Sequence, residues 1–475
     1  MSTTIKFGTD GWRGIIGEDF TFHNVRACAQ AVANYLLDGG NSERGLIVGY
    51  DTRFASEDFA AAVAEVAAAN GIMVYLSPKA VPTPVVSFGI LVKKAAGAVI
   101  ITASHNSATW NGFKYKPEYA GSASPEVTGD LEIRIQRILE SGEVKRLSMF
   151  DGLGQGLVEY CDLSGGYLRH VEKLVDLERI RRSGLKILVD SMRGAGSGYF
   201  KELLSGGSTD VIEINAERNP LFPGILRPEP IASNLTKLST RVKEIGATIG
   251  LATDGDADRL GILDENGLFL TPHQVFGLLA LYLLEVRGER GPIVKSITST
   301  DMIYCLGEIF SAPVFETPVG FKYIGPKMIS EDALIGGEES GGYGFRGHIP
   351  ERDGILSGLY FLDLMVSMGK KPSELIEYLY KRVGPHHYER LDLEFPQQQR
   401  EVVIQRLTQL RPARINDLKV TEIDTTDGFR FRLGKGSWLH IRASGTEPVL
   451  RFYAESCSVK HTEKLLQAGR KMVGV

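Results

Sequence analysis

The chain has 475 residues, 43% of them hydrophobic and 24% charged, with a formal net charge of -4. That length corresponds to about three or four ordinary domains, the apolar fraction excludes a disordered chain, and the near-neutral balance excludes a broad electrostatic footprint for nucleic acid. An anionic ligand would have to be met by cations placed locally.

Residues 1–7 lack a charged stretch followed by an apolar one, so no secretory signal is expected. The apolar run 275–284 is too short to cross about 30 Å of hydrocarbon and reads as a buried helix. Cys28, Cys161, Cys305 and Cys457 are scattered, which argues against a zinc site or disulfide framework and suits a reducing cytoplasm. All four are expected to be buried and inert.

In the first section, apolar β-branched runs at 46–50, 72–76 and 98–101 read as strands, with a helix over 57–69 capped by Ser56 and closed before Gly71. Such alternation implies a covered, mostly parallel sheet. A second section repeats the pattern with strands at 186–190, 211–214 and 248–252, followed by a strand at 260–263. A third places strands at 293–295, 314–316 and 334–336. After Pro385 the texture changes to short alternating stretches at 418–423, 429–433, 438–441 and 450–454, a smaller and mainly antiparallel α+β unit. The expected units are 1–150, 151–270, 271–384 and 385–475: three similar α/β sandwiches and a different fourth, arranged around one cleft.

Each unit carries one polar, Gly-marked loop. The first is Thr102-Ala-Ser104-His105-Asn106-Ser107, continuing to Asn111-Gly112 and Lys114. Ser104 would sit just past the carboxyl end of a strand, where open α/β sheets place ligands. A serine alone is a weak nucleophile and needs a base, a metal or a group already on it. The second loop sets Asp254, Asp256 and Asp258 at alternate positions ahead of Arg259. Such crowding of like charge calls for a cation, and hard carboxylate oxygens suit Mg²⁺. An EF-hand is rejected, because its required Gly is Arg259 and the following residues read as a strand.

The third loop offers Glu338, Glu339 and Ser340, acceptors suited to sugar hydroxyls. Adjacent carboxylates in one loop do not flank a glycosidic bond, so a glycosidase reading is weak. The fourth, Arg442-Ala-Ser444-Gly445-Thr446, joins a cation, two hydroxyls and a glycine whose backbone can approach an anion, and it reads as a phosphate nest. His386-His387 reads as an interdomain surface pair rather than a metal site, and Arg179 to Arg182 as a solvated helix face.

In this order the four loops resemble the α-D-phosphohexomutase superfamily, and the resemblance covers essentially the whole chain. Supporting it are Phe7-Gly-Thr-Asp-Gly-Trp-Arg13-Gly, Asn219-Pro-Leu-Phe-Pro-Gly and Glu316-Thr-Pro-Val-Gly-Phe-Lys322. The resemblance implies a four-domain enzyme that moves phosphate between C1 and C6 of a phosphorylated hexose, through a phosphorylated Ser104 and a bisphosphorylated sugar. It makes His105 and Lys114 proton-transfer residues, and Arg13 and Arg259 partners of the transferring group. Asp254, Asp256 and Asp258, with Ser104, would hold Mg²⁺. Glu338, Ser340, Lys322, His348, Arg442, Ser444, Gly445 and Thr446 would hold the substrate.

The stretch Gly337-Glu-Glu-Ser-Gly and His348 are similar to the glucose-type pattern, whereas members favouring mannose or glucosamine phosphates tend to carry Met or Gln at the position of Glu339. The expected activity is therefore that of a phosphoglucomutase with glucose 1,6-bisphosphate as intermediate or activator, with mannose phosphates as further substrates. The expected assembly is a cytoplasmic monomer or homodimer without nucleic acid or membrane partners. One departure stands out: Ser107 occupies the place usually held by Pro, and losing that fixed φ should loosen the nucleophile loop. That keeps open a glucose 1,6-bisphosphate synthase fed by fructose 1,6-bisphosphate or another donor. A non-catalytic phosphosugar binder is disfavoured, because Ser104, Lys114 and the three loop carboxylates occur together.

Overall fold

The computed structural model describes residues 5–8, 10–394, 400–443 and 449–474. Within them four sheets follow one another along the chain. The first has six strands in the order Trp12–Ile15, Trp110–Pro117, Gly97–Ile101, Leu46–Tyr50, Val74–Leu76, Val158–Tyr160. Its interior pairings are parallel, whereas Trp110–Pro117 and Trp12–Ile15 add antiparallel strands at one edge. The strand Leu46–Tyr50 is buried throughout, because helices cover both faces. Since Val158–Tyr160 completes this sheet, the first unit extends past the boundary expected at 150.

The second sheet orders Phe269–Leu270, Leu260–Leu263, Ile249–Thr253, Lys186–Asp190, Asp210–Ile214, and the third Val314–Thr317, Ile293–Ser296, Ile335–Gly337, Tyr343–Phe345. Both are mixed. The last sheet is antiparallel throughout and runs His387–Glu394, Val449–Ser456, Ser437–Ala443, Phe429–Leu433, Leu418–Asp424, Arg414–Ile415. The helix Val459–Val473 packs its apolar stripe, with Leu465 and Leu466, into the core beneath that sheet.

Three polar loops leave the carboxyl ends of Gly97–Ile101, Ile249–Thr253 and Ile335–Gly337, in sheets joined by one core. That core runs continuously from Ile47 and Ile100 through Val189 and Leu251 to Phe276, Ile335 and Leu359. The fourth unit closes its own core around Phe431, Ile441 and Phe452.

Some local expectations need correction. The helix Ser56–Ala69 has Ala55 at its cap, because the Ser56 hydroxyl is drawn to Asp51 Oδ1 at 3.0 Å. The buried run becomes the helix Pro272–Leu281, which Thr271 caps, and continues as a wider turn through Val286. Arg179 is not merely solvated: it donates at 2.9 Å to the buried Asp363. Of the four free cysteines only Cys28 is buried, and Cys457 is exposed. No described helix is long and apolar enough to cross a membrane.

Candidate active site

The Ser104 loop begins where Thr102 leaves the strand. Its hydroxyl donates to Asp51 Oδ2 at 2.6 Å and accepts from the Ser104 amide at 2.8 Å. Ser104 is held at φ +52°, a left-handed conformation that costs a side-chain-bearing residue free energy unless its surroundings enforce it. The turn brings Ser104 Oγ across to the second unit, where it donates to Asp254 Oδ2 at 2.9 Å. The approach is so close that a Cβ on Gly255 would lie 2.4 Å from the Ser104 carbonyl oxygen, so only glycine fits there.

Asp254, Asp256 and Asp258 are fully buried, and one carboxylate oxygen from each lies within 4.8 Å of the others. Asp254 Oδ1 accepts the Arg259 amide at 3.2 Å. Asp256 Oδ2 accepts from Thr83 Oγ1 at 2.6 Å and Lys114 Nζ at 2.8 Å, while Asp258 Oδ2 accepts from Arg352 Nη2 at 2.7 Å. Asp256 Oδ1 and Asp258 Oδ1 are buried with no hydrogen-bond partner among the described residues. Buried unpartnered carboxylate oxygens are unfavourable. Hard oxygens converging at this spacing beside Ser104 fit a divalent cation of the Mg²⁺ type.

The electrostatics agree with that fit. Burial, and then the charges of Asp258 and Asp256, push the Asp254 carboxyl well above its ordinary range. Burial acts upward on Asp256 too, but Lys114 and the Thr83 hydroxyl overcome it and hold that group low. For Lys114, burial favours the neutral amine, yet Asp10, Asp256 and Asp258 reverse the balance and raise its pKa. Lys114 therefore keeps its proton as found. His105, 3.3 Å from Ser104 Oγ, is neutral: burial and then Arg259, Arg13, Arg53 and Arg352 press its pKa down.

Two residues at the centre of this cluster received no role from the sequence. Asp10 Oδ2 pairs with Lys114 Nζ at 2.5 Å and Arg352 Nη2 at 2.7 Å, and its Oδ1 with Lys116 Nζ at 2.9 Å. Arg352 joins Asp10 of the first unit, Asp258 of the second and Glu338 of the third, the last at 3.5 Å. Asp10 stands beside Gly11, and a charge beside such a glycine was the available signal, whereas Arg352 stands between Glu351 and Asp353 and carried none.

The remaining expected residues divide. Arg13 donates to Asn106 Oδ1 at 2.6 Å and Arg259 to Glu229 at 3.2 Å, both beside the Ser104 loop. Glu338 is buried, and its carboxyl is pushed up to about 7 by burial, with Arg352 opposing and Glu339 reinforcing. Glu339 is held by Thr298 Oγ1 at 2.6 Å and Ser296 Oγ at 3.2 Å, and Ser340 Oγ is buried without a partner among the described residues. Lys322 Nζ reaches the Gly8 carbonyl at 3.3 Å. Arg442 Nε pairs with Asp427 at 2.8 Å, whose other oxygen accepts the Val319 amide. Ser444, Gly445 and Thr446 lie outside the described residues.

His348 has its contacts elsewhere. Its imidazole is fully buried, bonds Asp353 at 2.9 Å, and stacks with Phe88 and His170. Asp353 caps the helix Gly354–Met368 with one oxygen, and its other oxygen takes His348 and Tyr167. The ring is thus packed among Phe88, Tyr167 and His170.

The four domains described for phosphoglucomutase/phosphomannomutase match residues 4–141 (domain I), 165–267 (domain II), 271–383 (domain III) and 401–471 (C-terminal domain). A phosphoglucomutase/phosphomannomutase of Thermococcus kodakarensis is 30% identical over 98% of each chain. A probable phosphoglucosamine mutase of Methanothermobacter thermautotrophicus is 33% identical over 94% of this chain and 93% of that one. The crystal structure of a candidate phosphomannomutase from Thermus thermophilus is 35% identical and superposes with a TM-score of 0.87 over 100% of both chains.

Fold and site together define an α-D-phosphohexomutase, an isomerising phosphotransferase enzyme. The four matched domains span most of the sequence in order. The chain belongs to the phosphoglucomutase/phosphomannomutase family.

Proposed function

We propose that the chain is a phosphoglucomutase that interconverts α-D-glucose 1-phosphate and glucose 6-phosphate through phospho-Ser104 and a glucose 1,6-bisphosphate intermediate. The observation that carries this reading is the contact of Ser104 Oγ with Asp254, 2.9 Å long, at the rim of a carboxylate cage with two unpartnered oxygens. Asp254, Asp256, Asp258 and Ser104 would hold Mg²⁺, which when bound supplies positive charge to the transferring phosphoryl group.

The chain's own residues supply the rest. His105, held neutral, is the acceptor for a sugar hydroxyl proton, and Lys114, held as an ammonium, is a donor and a counter-charge. Arg13 and Arg259 flank the loop from which the phosphoryl group leaves. Glu338, Glu339 and Ser340 present acceptors and a hydroxyl to the ring, and Lys322 and Arg442 flank the site for the phosphate that is not reacting. Its four free cysteines support a reducing cytoplasm as its place of action.

The archaeal relatives named phosphoglucosamine mutase make the 2-amino sugar the rival substrate. The test is ³¹P NMR of the purified protein with Mg²⁺ and the 1-phosphates of glucose, mannose and glucosamine, with and without a trace of glucose 1,6-bisphosphate. Fastest conversion of glucose 1-phosphate at constant bisphosphate is expected. Faster turnover of glucosamine 1-phosphate would reassign the substrate. Net bisphosphate accumulation on adding fructose 1,6-bisphosphate, with little isomerisation, would make the protein the synthase.

A further inference from the structure

Ser107 removes a proline's fixed φ from the nucleophile loop, yet a buried guanidinium lies directly beneath that loop. Arg53 is fully buried, and a guanidinium has five N–H donors in a rigid fork. Its Nη2 donates to the carbonyls of Ser104 and Asn106, both at 2.6 Å, and its Nη1 to those of Ser107 at 2.8 Å and Trp110 at 3.0 Å. The fifth donor, Nε, goes to Asp51 Oδ2 at 3.1 Å, and Asp51 is held in turn by Thr102 and Ser56. One side chain thus fixes four peptide planes between residues 104 and 110.

We infer that Arg53 is the positioning residue of the nucleophile, holding by hydrogen bonds the loop that a proline at 107 would hold by its ring. Three features set it apart from an ordinary core ion pair. Four of its bonds end on the backbone of one loop. One of them ends on the carbonyl of Ser104 itself, the residue in the left-handed conformation. That same carbonyl sits against Gly255, so the clamp sets where Ser104 meets the metal-binding loop. The second unit covers the outer side: the Phe222 ring lies 5.3 Å from the guanidinium carbon, and Arg218 Nε donates to the Thr52 carbonyl at 3.1 Å. Arg53 touches neither the cage nor the sugar loop through its side chain, so it acts through the backbone of Ser104.

The catalytic part of this inference rests on the proposed mutase reading, and its test separates the two. Arg53→Lys keeps the charge beside Asp51 but replaces the fork with a single ammonium. Amide hydrogen exchange across 103–111 in the full-length variant should speed up by about tenfold or more. The kcat for hexose phosphate isomerisation should fall by about 10- to 100-fold, the scale on which a displaced reacting group acts. KM should stay within about threefold, because substrate groups are untouched. Adding Ser107→Pro to Arg53→Lys should recover a measurable part of both losses. Unchanged exchange, or a lowered kcat without faster loop exchange and without rescue by the proline, would overturn the role.

If Arg53→Lys does not fold, Ser107→Pro alone decides. With the clamp intact it should leave loop exchange within about twofold. Exchange slowed tenfold would show a loop that is loose despite Arg53, and would overturn the inference. A wild-type protein that isomerises no hexose phosphate sinks the mutase reading instead, while the exchange measurements still judge the clamp.

Discussion

Where the first three units meet, Asp10, Lys114, Arg352 and Asp258 form a charged cluster almost without solvent, seated on one continuous apolar core. Where the third unit meets the fourth, the buried cations Arg430 and Lys295 meet carboxylates that are partly in solvent. Arg430 makes a two-pronged contact with Glu316, at 2.7 and 2.5 Å, and Arg432 and Lys295 share the same carboxylate. Glu316, Asp424 and Arg432 keep roughly a fifth of their side-chain surface in solvent. His386 pairs with the buried Glu455 just past Gly384 and Pro385. The difference separates two tasks. A buried network in which every partner is fixed by the others holds reacting groups at set distances. A seam of part-solvated pairs between separate cores costs less free energy to break than such a network does.

The sharpest way to break this comparison is to remove groups from the three-unit floor. Ser104→Ala should lower kcat by about 10⁴-fold or more, the scale of losing a nucleophile. Its thermal midpoint should hardly move, since only the contacts of the hydroxyl with Asp254 and His105 are lost. Asp10→Ala should do both kinds of damage. It leaves Lys114, Lys116 and Arg352 short of a counter-charge in a dry site, so about 3–5 kcal/mol of stability should disappear in denaturant titrations, together with most of the activity. An Asp10→Ala protein of wild-type stability would show that water reaches this cluster.

The floor was only partly legible in the sequence. Ser104 and the three loop aspartates were visible because polar residues flanked by buried β-branched runs have little structural excuse, and they do converge. Asp10 and Arg352 drew no role, because what gives them one is the packing of three units, which no local pattern encodes. The partners of His348 were hidden for a related reason: its contact with Asp353, the cap of the helix Gly354–Met368, comes from packing and from no local pattern. The strand His387–Glu394 went unread, since with charges along its exposed face it lacks an apolar run. In the fourth unit the alternation was legible at Leu418–Asp424, where exposed and part-buried residues alternate, whereas Ser437 to Ile441 are buried on both faces.

Loosening the other seam should have a smaller and differently shaped effect. Arg430→Lys loses the fork on Glu316 while keeping the charge. The fourth unit should then dock less firmly, and KM for the sugar phosphate should rise by about three- to tenfold with stability of the floor unchanged. In the wild type, raising ionic strength from about 0.05 to 0.5 M shortens the screening length and should raise KM in the same direction. The variant should be less sensitive to salt, because the pair being screened is already weakened. Equal salt sensitivity in both proteins would place the dependence on the substrate's own charge.

The smallest expected effect comes from Glu338, which joins the floor only at its edge, through Arg352 at 3.5 Å. Its carboxyl lies at about 7 in the folded chain, against an ordinary value of 4.5. Burial is the main cause, and Arg352 only partly offsets it. The native state therefore binds this proton more tightly than the unfolded chain does. The resulting stability is fully present below about 4.5 and is lost as pH rises through about 7. Sugar recognition should run the opposite way, since an ionised carboxylate is the better acceptor, so KM should fall as pH rises through about 7. Glu338→Gln has no proton to lose. It should gain about 1–3 kcal/mol over the wild type at pH 8 relative to their difference at pH 5, and its KM should be flat across that range. If denaturant titrations find the same difference between the two proteins at both pH values, Glu338 does not titrate there, and the edge of the floor is as well paired as its centre.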